Sequence, residues 1–263
     1  MISVLILTSN DEAILASCLK SVAWSDDIVI FDAFSTDRTV EIATQAGARV
    51  IQRAFDNNHD HRAAALAVHF KNDWVFYLNP DEIALPRLRE EMAQLVMNPK
   101  RTEVGYRARF RLMFLGKWIK HSSLHPIWVL RLFRKDQIRC QSADYVVDGP
   151  TGLLTNYLER YSFAKGVRYW LADHNRQSTA EAKRFAQLMS TGRINWRRLL
   201  STSSVVRRDA IKELSFRVPF RSFWIYMYLM VLRRGVLDGP PGWIYCRLRA
   251  HYNFIVQAKL EEL

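Results

Sequence analysis

The stretch Asp73-Trp-Val-Phe-Tyr-Leu-Asn-Pro-Asp-Glu82 carries an apolar run straight into an amide and two acids. Asp81 puts a carboxylate at that boundary. Magnesium and manganese favour carboxylate and phosphate oxygens. Asp81 is therefore the candidate metal ligand, for a divalent cation that bridges a diphosphate and acts as a Lewis acid on its departure. Asn79 occupies the first position of what would otherwise be an Asp-x-Asp pair. Its carbonyl can hydrogen-bond a ribose or a metal-bound water, but it adds no charge, which predicts a weakened metal site. Asp32, at the end of a second apolar run, can accept hydrogen bonds from a base or ribose. Arg62, in His59-Asp-His-Arg62, supplies positive charge for a diphosphate. Taken together these groups suit a nucleotide diphosphate sugar. Taken singly, each acid has a competing role as a helix cap or a solvated turn.

These residues need a frame that brings them together. The first hundred positions alternate strand and helix patterns. Ser3–Leu7, Ile28–Phe31, Arg49–Gln52 and Trp74–Leu78 read as strands. Asn10 is placed to cap a helix with Ile14, Leu15, Cys18, Leu19 and Val22 on its apolar face. Thr39–Ala46 reads as a helix ended by Gly47, and residues 60–70 as another. The expected fold class is α/β, a mostly parallel sheet with helices on both faces. Such sheets bind ligands at the carboxyl ends of their strands. Those ends carry Thr8-Ser-Asn10, Asp32 and Asn79-Pro-Asp81.

Residues 104–134 predict hairpin-like strands. Ser178-Thr-Ala-Glu181 reads as a capping box opening a helix, and 191–215 as a basic helix with a loop. The apolar run Phe223–Leu232 is far short of the roughly 18–20 residues a spanning helix needs. After Gly239-Pro-Pro-Gly242, a last helix from Trp243 would align Ile244, Leu248, Tyr252 and Ile255. The resulting division is a catalytic domain over 1–215 and a basic, amphipathic helical extension over 216–263.

Charge is unevenly distributed. Residues 1–98 carry 8 Lys/Arg and 14 Asp/Glu, a net of −6, against 30 and 12, a net of +18, in the remainder. An anionic partner for the second half follows. Trp, Tyr and Arg in 220–260 favour an anionic membrane surface. Nucleic acid is not the expected partner, because no RNP, helix-turn-helix or finger pattern occurs. Three widely spaced cysteines and an N-terminus that reads as a strand fit a cytoplasmic location, peripheral on the inner face of the membrane.

The ordered motifs resemble the family 2 inverting glycosyltransferases of the GT-A (Rossmann-like) fold. The likeness is nearest to the lipopolysaccharide-core β-glucosyltransferase branch and covers nearly the whole chain. It rests on Thr8-Ser-Asn-Asp-Glu12, Phe31-Asp-Ala-Phe-Ser-Thr-Asp-Arg-Thr39, the Asp73–Glu82 stretch, Phe114-Leu-Gly-Lys-Trp-Ile-Lys-His121, Arg131-Leu-Phe-Arg134 and Arg234-Gly-Val-Leu-Asp-Gly-Pro-Pro-Gly242. The resemblance implies that Thr8, Asn10, Glu12 and Asp32 line the nucleoside pocket. It also implies that Asp81 is the metal-binding acid of the pair, and that Ser35 and Asp37 orient the helix after them. It further implies transfer of a hexose from a nucleotide diphosphate sugar, a UDP-sugar first among them, to a lipid-linked or cell-envelope glycan such as lipopolysaccharide core.

Inverting transfer needs a base opposite the leaving group. The branch usually has His-Glu before Val-Asp-Gly, whereas this chain has Gln141-Ser-Ala-Asp-Tyr-Val-Val-Asp-Gly149. Asp144 is the nearest carboxylate and the candidate base, and Asp148 reads as a turn residue. Because both departures fall on chemistry, the competing expectation is a non-catalytic, glycosyltransferase-like scaffold at the membrane.

Overall fold

The computed structural model describes residues 1–123, 126–141, 144–189 and 220–263, with the single positions 200, 207, 210, 214 and 218. In chain order its elements are β1 (Ile2–Thr8), α1 (Glu12–Val22), β2 (Ile28–Asp32), α2 (Thr39–Gln45), β3 (Arg49–Gln52), α3 (Asn58–Leu66), β4 (Trp74–Leu78), β5 (Glu82–Ala84), α4 (Pro86–Met97), β6 (Gly105–Phe114), β7 (Lys117–Trp118), β8 (Trp128–Arg134), β9 (Ile138–Gln141), β10 (Asp144–Val147), β11 (Thr151–Arg160) and α5 (Gly166–Met189). Then come α6 (Arg221–Met227), a π-helical turn (Tyr228–Leu232), a 3-10 turn (Gly235–Asp238) and α7 (Gly239–Glu261). Two compact units form: Met1–Met113 with Leu124–Ala164, and Phe114–Ser123 with Lys165–Leu263. The expected boundary at 215 falls inside the second unit.

In the first unit the sheet order is β3-β2-β1-β4-β8-β6-β11-β5. The pairs β1–β2, β1–β4, β2–β3 and β6–β11 are parallel, and β4–β8, β6–β8 and β5–β11 are antiparallel. The sheet is thus mixed, four of these pairs parallel and three antiparallel. Parallel neighbours need long crossovers. Helices α1, α2 and α3 supply them between the first four strands, and among the described residues no helix lies between β6 and β8. Strands β9 and β10 form a separate antiparallel ribbon.

Strand alternation sorts the core onto two faces. Val4, Ile6, Ile30, Phe76 and Leu78 pack with Leu15, Cys18, Leu19 and Val22 of α1 and Leu88 and Met92 of α4. Leu5, Val29, Phe31, Val75 and Tyr77 pack on the other face with Ala65 and Phe70. Among the cysteines, Cys18, Cys140 and Cys246 are free thiols.

Asp27 is buried at the opposite end of the sheet from the candidate site. It accepts from Ser3 Oγ at 2.6 Å, the Lys71 amide at 2.8 Å and Arg49 Nη2 at 2.8 Å. Burial pushes its carboxyl up, but the bonds from Ser3, Lys71 and Arg49 outweigh burial and hold it below the ordinary value of 3.8. A depressed folded value means the stabilisation is complete above the unfolded value and drains as pH falls through the folded one. Urea midpoints should therefore hold steady down to about pH 5 and fall between about pH 4 and pH 3. Asp27→Asn should be less stable at neutral pH and show a shallower acid slope. A wild-type midpoint that stays flat to about pH 3 would contradict this role for Asp27.

In the second unit, α7 begins at Gly239, four residues before the expected Trp243. Pro240 and Pro241 fall in its first turn, where the missing N–H groups have no partner to lose. Its buried side is Gly242, Tyr245, Cys246, Tyr252, Asn253 and Val256, not the expected Ile244-Leu248-Tyr252-Ile255 stripe. Gly242 sets this rotation. A Cβ there would lie 2.3 Å from Asp238 Cβ and 3.0 Å from Gly235 O, so only glycine allows the approach. Trp243, Ile244 and Phe254 remain exposed, so α7 is apolar on more than one side and is not a simple amphipathic helix.

The Arg234–Gly242 motif has a structural role within this unit. Buried Asp238 accepts from the amides of Lys120, His121 and Ser122 and from Ser122 Oγ, at 2.7–3.2 Å. The expected capping box does not open a helix, because it lies inside α5. There Ser178 Oγ donates to Asn175 O, and Glu181 accepts from Tyr252 OH of α7. The helix-with-loop expected over 191–215 lies almost wholly outside the described residues. Among the described residues no helix is long and apolar enough to cross a membrane.

Candidate active site

Parallel pairing puts the carboxyl ends of β1, β2 and β4 side by side, with Thr8 registered opposite Asp32. The β1–α1 and β2–α2 loops then lock together. Thr8 Oγ1 donates to Asp32 Oδ1 at 2.8 Å, and the Ser35 amide and Gln52 Nε2 donate to Asp32 Oδ2 at 2.8 and 3.0 Å. Ser35 Oγ also donates to Asp32. Asp32 is fully buried. Burial pushes its carboxyl up, but bonds from Gln52, Ser35 and Thr8 together hold it below the usual range.

Asn10 does not cap α1. It adopts a left-handed conformation, φ 53°, and its Oδ1 accepts from the Thr36 amide at 2.8 Å. The residue at the start of α1 is Asp11, whose side chain takes the Ser9 amide instead. Glu12 Oε2 accepts from the Arg38 amide, and Asp37 accepts from the Thr39 and Glu12 amides. Thr8, Asn10, Glu12 and Asp32 are therefore brought together. Their hydrogen bonds shape the two loops that would border a nucleoside.

The β4–β5 turn is wired differently from a metal cage. Tyr77 OH donates to Asn79 Oδ1 at 2.7 Å. The Asn79 amide N–H and Nδ2 donate to Glu82 at 3.0 and 3.1 Å. Glu82 is fully buried and paired with Arg131 Nη2 at 2.6 Å. Burial pushes the Glu82 carboxyl up, and Arg131 and then Arg160 pull it back. Asp81 Oδ2 accepts from Arg160 Nε at 3.1 Å. Among the described residues no group of three or more His, Cys, Asp or Glu gathers to hold a metal ion. The expected site at Asp81 with help from Asn79 is thus not built: a guanidinium holds the acid and a phenol holds the amide oxygen. These residues do not fit a divalent cation, so no step here is routed through one.

Arg62, on α3, lies with its guanidinium 5.6 Å from the Tyr77 ring centroid and 5.3 Å from that of Tyr145. It makes no hydrogen bond or ion pair among the described residues. The β9–β10 ribbon contributes Tyr145, in T-shaped contact with Tyr77 at 5.0 Å. Neighbouring Asp144 is exposed at the start of β10, on the strand face opposite Tyr145. Cys140 lies on the same ribbon, in β9, registered opposite Tyr145. Burial raises that thiol, Arg62 lowers it, and Asp144 and Asp60 raise it. Asp148 is engaged with Arg139 Nε at 3.0 Å.

Sequence reasoning missed Tyr77, Glu82, Arg131, Tyr145 and Arg160. Arg131 lay inside a quoted motif with no role attached, and nothing in the sequence around Arg160 marked it. A cavity of about 700 Å³ lies elsewhere, against Met1, Asp73, Trp74 and Arg134 at the amino ends of β1 and β4. It has no part in this site.

Comparison with known proteins supplies the family. The model of Glycosyl transferase family 2 matches residues 3–162. An uncharacterized glycosyltransferase of Rickettsia felis is 34% identical over 270 residues, covering 99% of this chain and 89% of its own. One from Rickettsia typhi is 24% identical, covering 100% and 87%. Among solved structures, glucosyl-3-phosphoglycerate synthase from Mycobacterium tuberculosis, in complex with Mn2+, UDP-glucose and phosphoglyceric acid, is 22% identical with a TM-score of 0.37, covering 42% of this chain and 44% of its own. With the family model spanning the whole strand-end site, the chain belongs to glycosyl transferase family 2 and is a sugar-transferring enzyme acting on a nucleotide-sugar donor.

Proposed function

We propose that the protein is an inverting hexosyltransferase that uses a nucleotide diphosphate sugar, a UDP-sugar first, and a lipid-linked or cell-envelope glycan acceptor such as lipopolysaccharide core. The observation that carries the donor side is the strand-end cluster: Thr8, Asn10, Glu12 and Asp32 on two interlocked loops, with Arg62 held over Tyr77 and Tyr145. Asp144 takes the proton from the acceptor hydroxyl. The hydroxyl oxygen then attacks the anomeric carbon as the bond to the diphosphate breaks, so the linkage inverts.

The acceptor side draws on the second unit. Its surface exposes Phe220 (78%), Leu232 (75%), Trp224 (57%) and Phe254 (57%), more apolar area than a solvent-facing helical cap needs. An open groove of about 460 Å³ runs between α6 and α7, lined by Phe223, Tyr226, Arg247, His251 and Phe254. Rings beside cations suit the headgroup level of an anionic bilayer. This supports peripheral attachment at the inner membrane face.

The full chain, incubated with UDP-glucose and other labelled nucleotide sugars and with bacterial envelope lipids, should move label into the lipid fraction. It should also sediment with anionic liposomes, less so at high salt. Replacing Arg247 and Arg249 with glutamine should weaken sedimentation, since each cation contributes about 1 kcal/mol near an anionic surface. Label that stays in the soluble fraction under all conditions, with no sedimentation, would overturn the lipid-linked acceptor.

A further inference from the structure

We propose that the donor's diphosphate is neutralised by the guanidinium groups of Arg160 and Arg62, at the place where a divalent cation was expected. The inference rests on reading the strand-end cluster as a nucleotide-sugar site. Three observations support it.

First, the groups that could ligate a cation already hold protein partners. Asn79 Oδ1 takes the Tyr77 hydroxyl at 2.7 Å. Glu82 is sealed against Arg131 at 2.6 Å with no exposure. Asp81 is held by Arg160 Nε at 3.1 Å. A cation on the other oxygen of Asp81 would sit beside the Arg160 guanidinium, two positive charges close together.

Second, the Asp81 bond uses only the Nε of Arg160. The side chain is 39% exposed, and its Nη groups make no hydrogen bond among the described residues. A guanidinium fixed at one nitrogen, with its remaining donors unspent, is arranged to take phosphate oxygens in a bidentate fashion. Packing of the Phe110 ring 5.6 Å from its centre also restricts its position.

Third, one guanidinium of the cluster has no carboxylate of its own. Glu82 offsets Arg131 and Asp81 offsets Arg160, while Arg62 has rings for neighbours and no carboxylate partner among the described residues. A diphosphate would pair Arg62 directly and draw on the unused donors of Arg160. During transfer the bond between the anomeric carbon and the β-phosphate oxygen breaks, and its electron pair stays on that oxygen. The added negative charge is what the two guanidinium groups stabilise, while the acceptor's proton goes to Asp144.

The test is calorimetric titration of the full chain with UDP, GDP, CDP and ADP, in EDTA and then in magnesium or manganese. The expected result is one nucleoside diphosphate that binds with the same Kd in EDTA and in metal. Arg160→Gln should weaken that binding about tenfold or more, as loss of charge-assisted bonds does. Arg62→Gln should weaken it similarly with little effect on folding, because Arg62 holds no ion pair among the described residues. Asp81→Asn should tighten binding in EDTA by releasing Arg160 from its competing carboxylate. Binding that appears only with metal, and is lost in Asp81→Asn, overturns this inference and leaves the donor reading intact. No binding of any of the four under either condition removes the donor reading, and this inference with it.

Discussion

Asparagine at position 144 should lower kcat by about 10²- to 10⁴-fold, the range expected when a positioned general base is removed. Three other carboxylates named around the site are engaged. Asp148 is bound to Arg139 and Asp81 to Arg160, and Asp60 is bound to Asn57 and His59. Asp144 makes no hydrogen bond or ion pair among the described residues, and it is exposed. A base must keep a lone pair open for its substrate. Asp144→Asn keeps the shape and removes the proton acceptor, so nucleotide binding and melting temperature should match wild type. Asp144→Glu should restore part of the rate. If Asp144→Asn turns over at the wild-type rate, the base is another group and the carboxylate is a solvated strand end.

How much of this was legible beforehand depended on the range of the interactions. The parallel strands were readable because each is a short apolar run closed by a turn signal, and Gly47, at φ 76°, ends α2 as its sequence position implies. Strand-end placement followed from those strands, which is why Thr8, Asp32 and Asn79 could be singled out together. The pairing partners of the same residues were not readable. Arg160 lies 79 positions from Asp81 and meets it only because β11 pairs with β5. Glu82 looked like part of an acidic turn, but Arg131, 49 positions on, makes it a buried ion pair. The helix α7 misled for another reason. Its apolar residues occupy more than one side, so periodicity could not choose the buried one, and the contact at Gly242 did. Hairpin-like strands over 104–134 were readable, and β6 and β8 pair antiparallel there, but the insertion of β8 beside β4 and of β11 beside β6 rests on long-range partners. Arg131 illustrates why: it occupies a core position only because Glu82 and two aromatic rings receive it.

That pair sets the largest expected effect on stability. Arg131 is 5% exposed and packs 4.7 Å from the Tyr77 ring and 5.3 Å from that of Phe110, with Nη2 on Glu82. Removing one partner of a buried ion pair leaves an uncompensated charge and costs about 3–5 kcal/mol. Arg131→Met should therefore lower the melting temperature by on the order of 10 °C, although methionine fills much of the same volume. Exchanging both partners tests the cause. A buried pair replaced by apolar residues of similar volume is often neutral, because both desolvation costs vanish. Here Glu82 also accepts the Asn79 amide and Nδ2, so the double variant Arg131→Met/Glu82→Leu would orphan two donors at about 1–3 kcal/mol each. The single variant should stay destabilised at every pH at which Glu82 is charged, and regain stability as acid neutralises it. The double variant should be less stable than wild type, with no such acid recovery. The Asn79 turn should loosen in the double variant, weakening nucleoside diphosphate binding at Arg160 without any change to that residue. A single variant as stable as wild type would mean that Glu82 is already protonated in the folded protein, and that hydrogen bonds alone, not an ion pair, hold the β4–β5 turn in place.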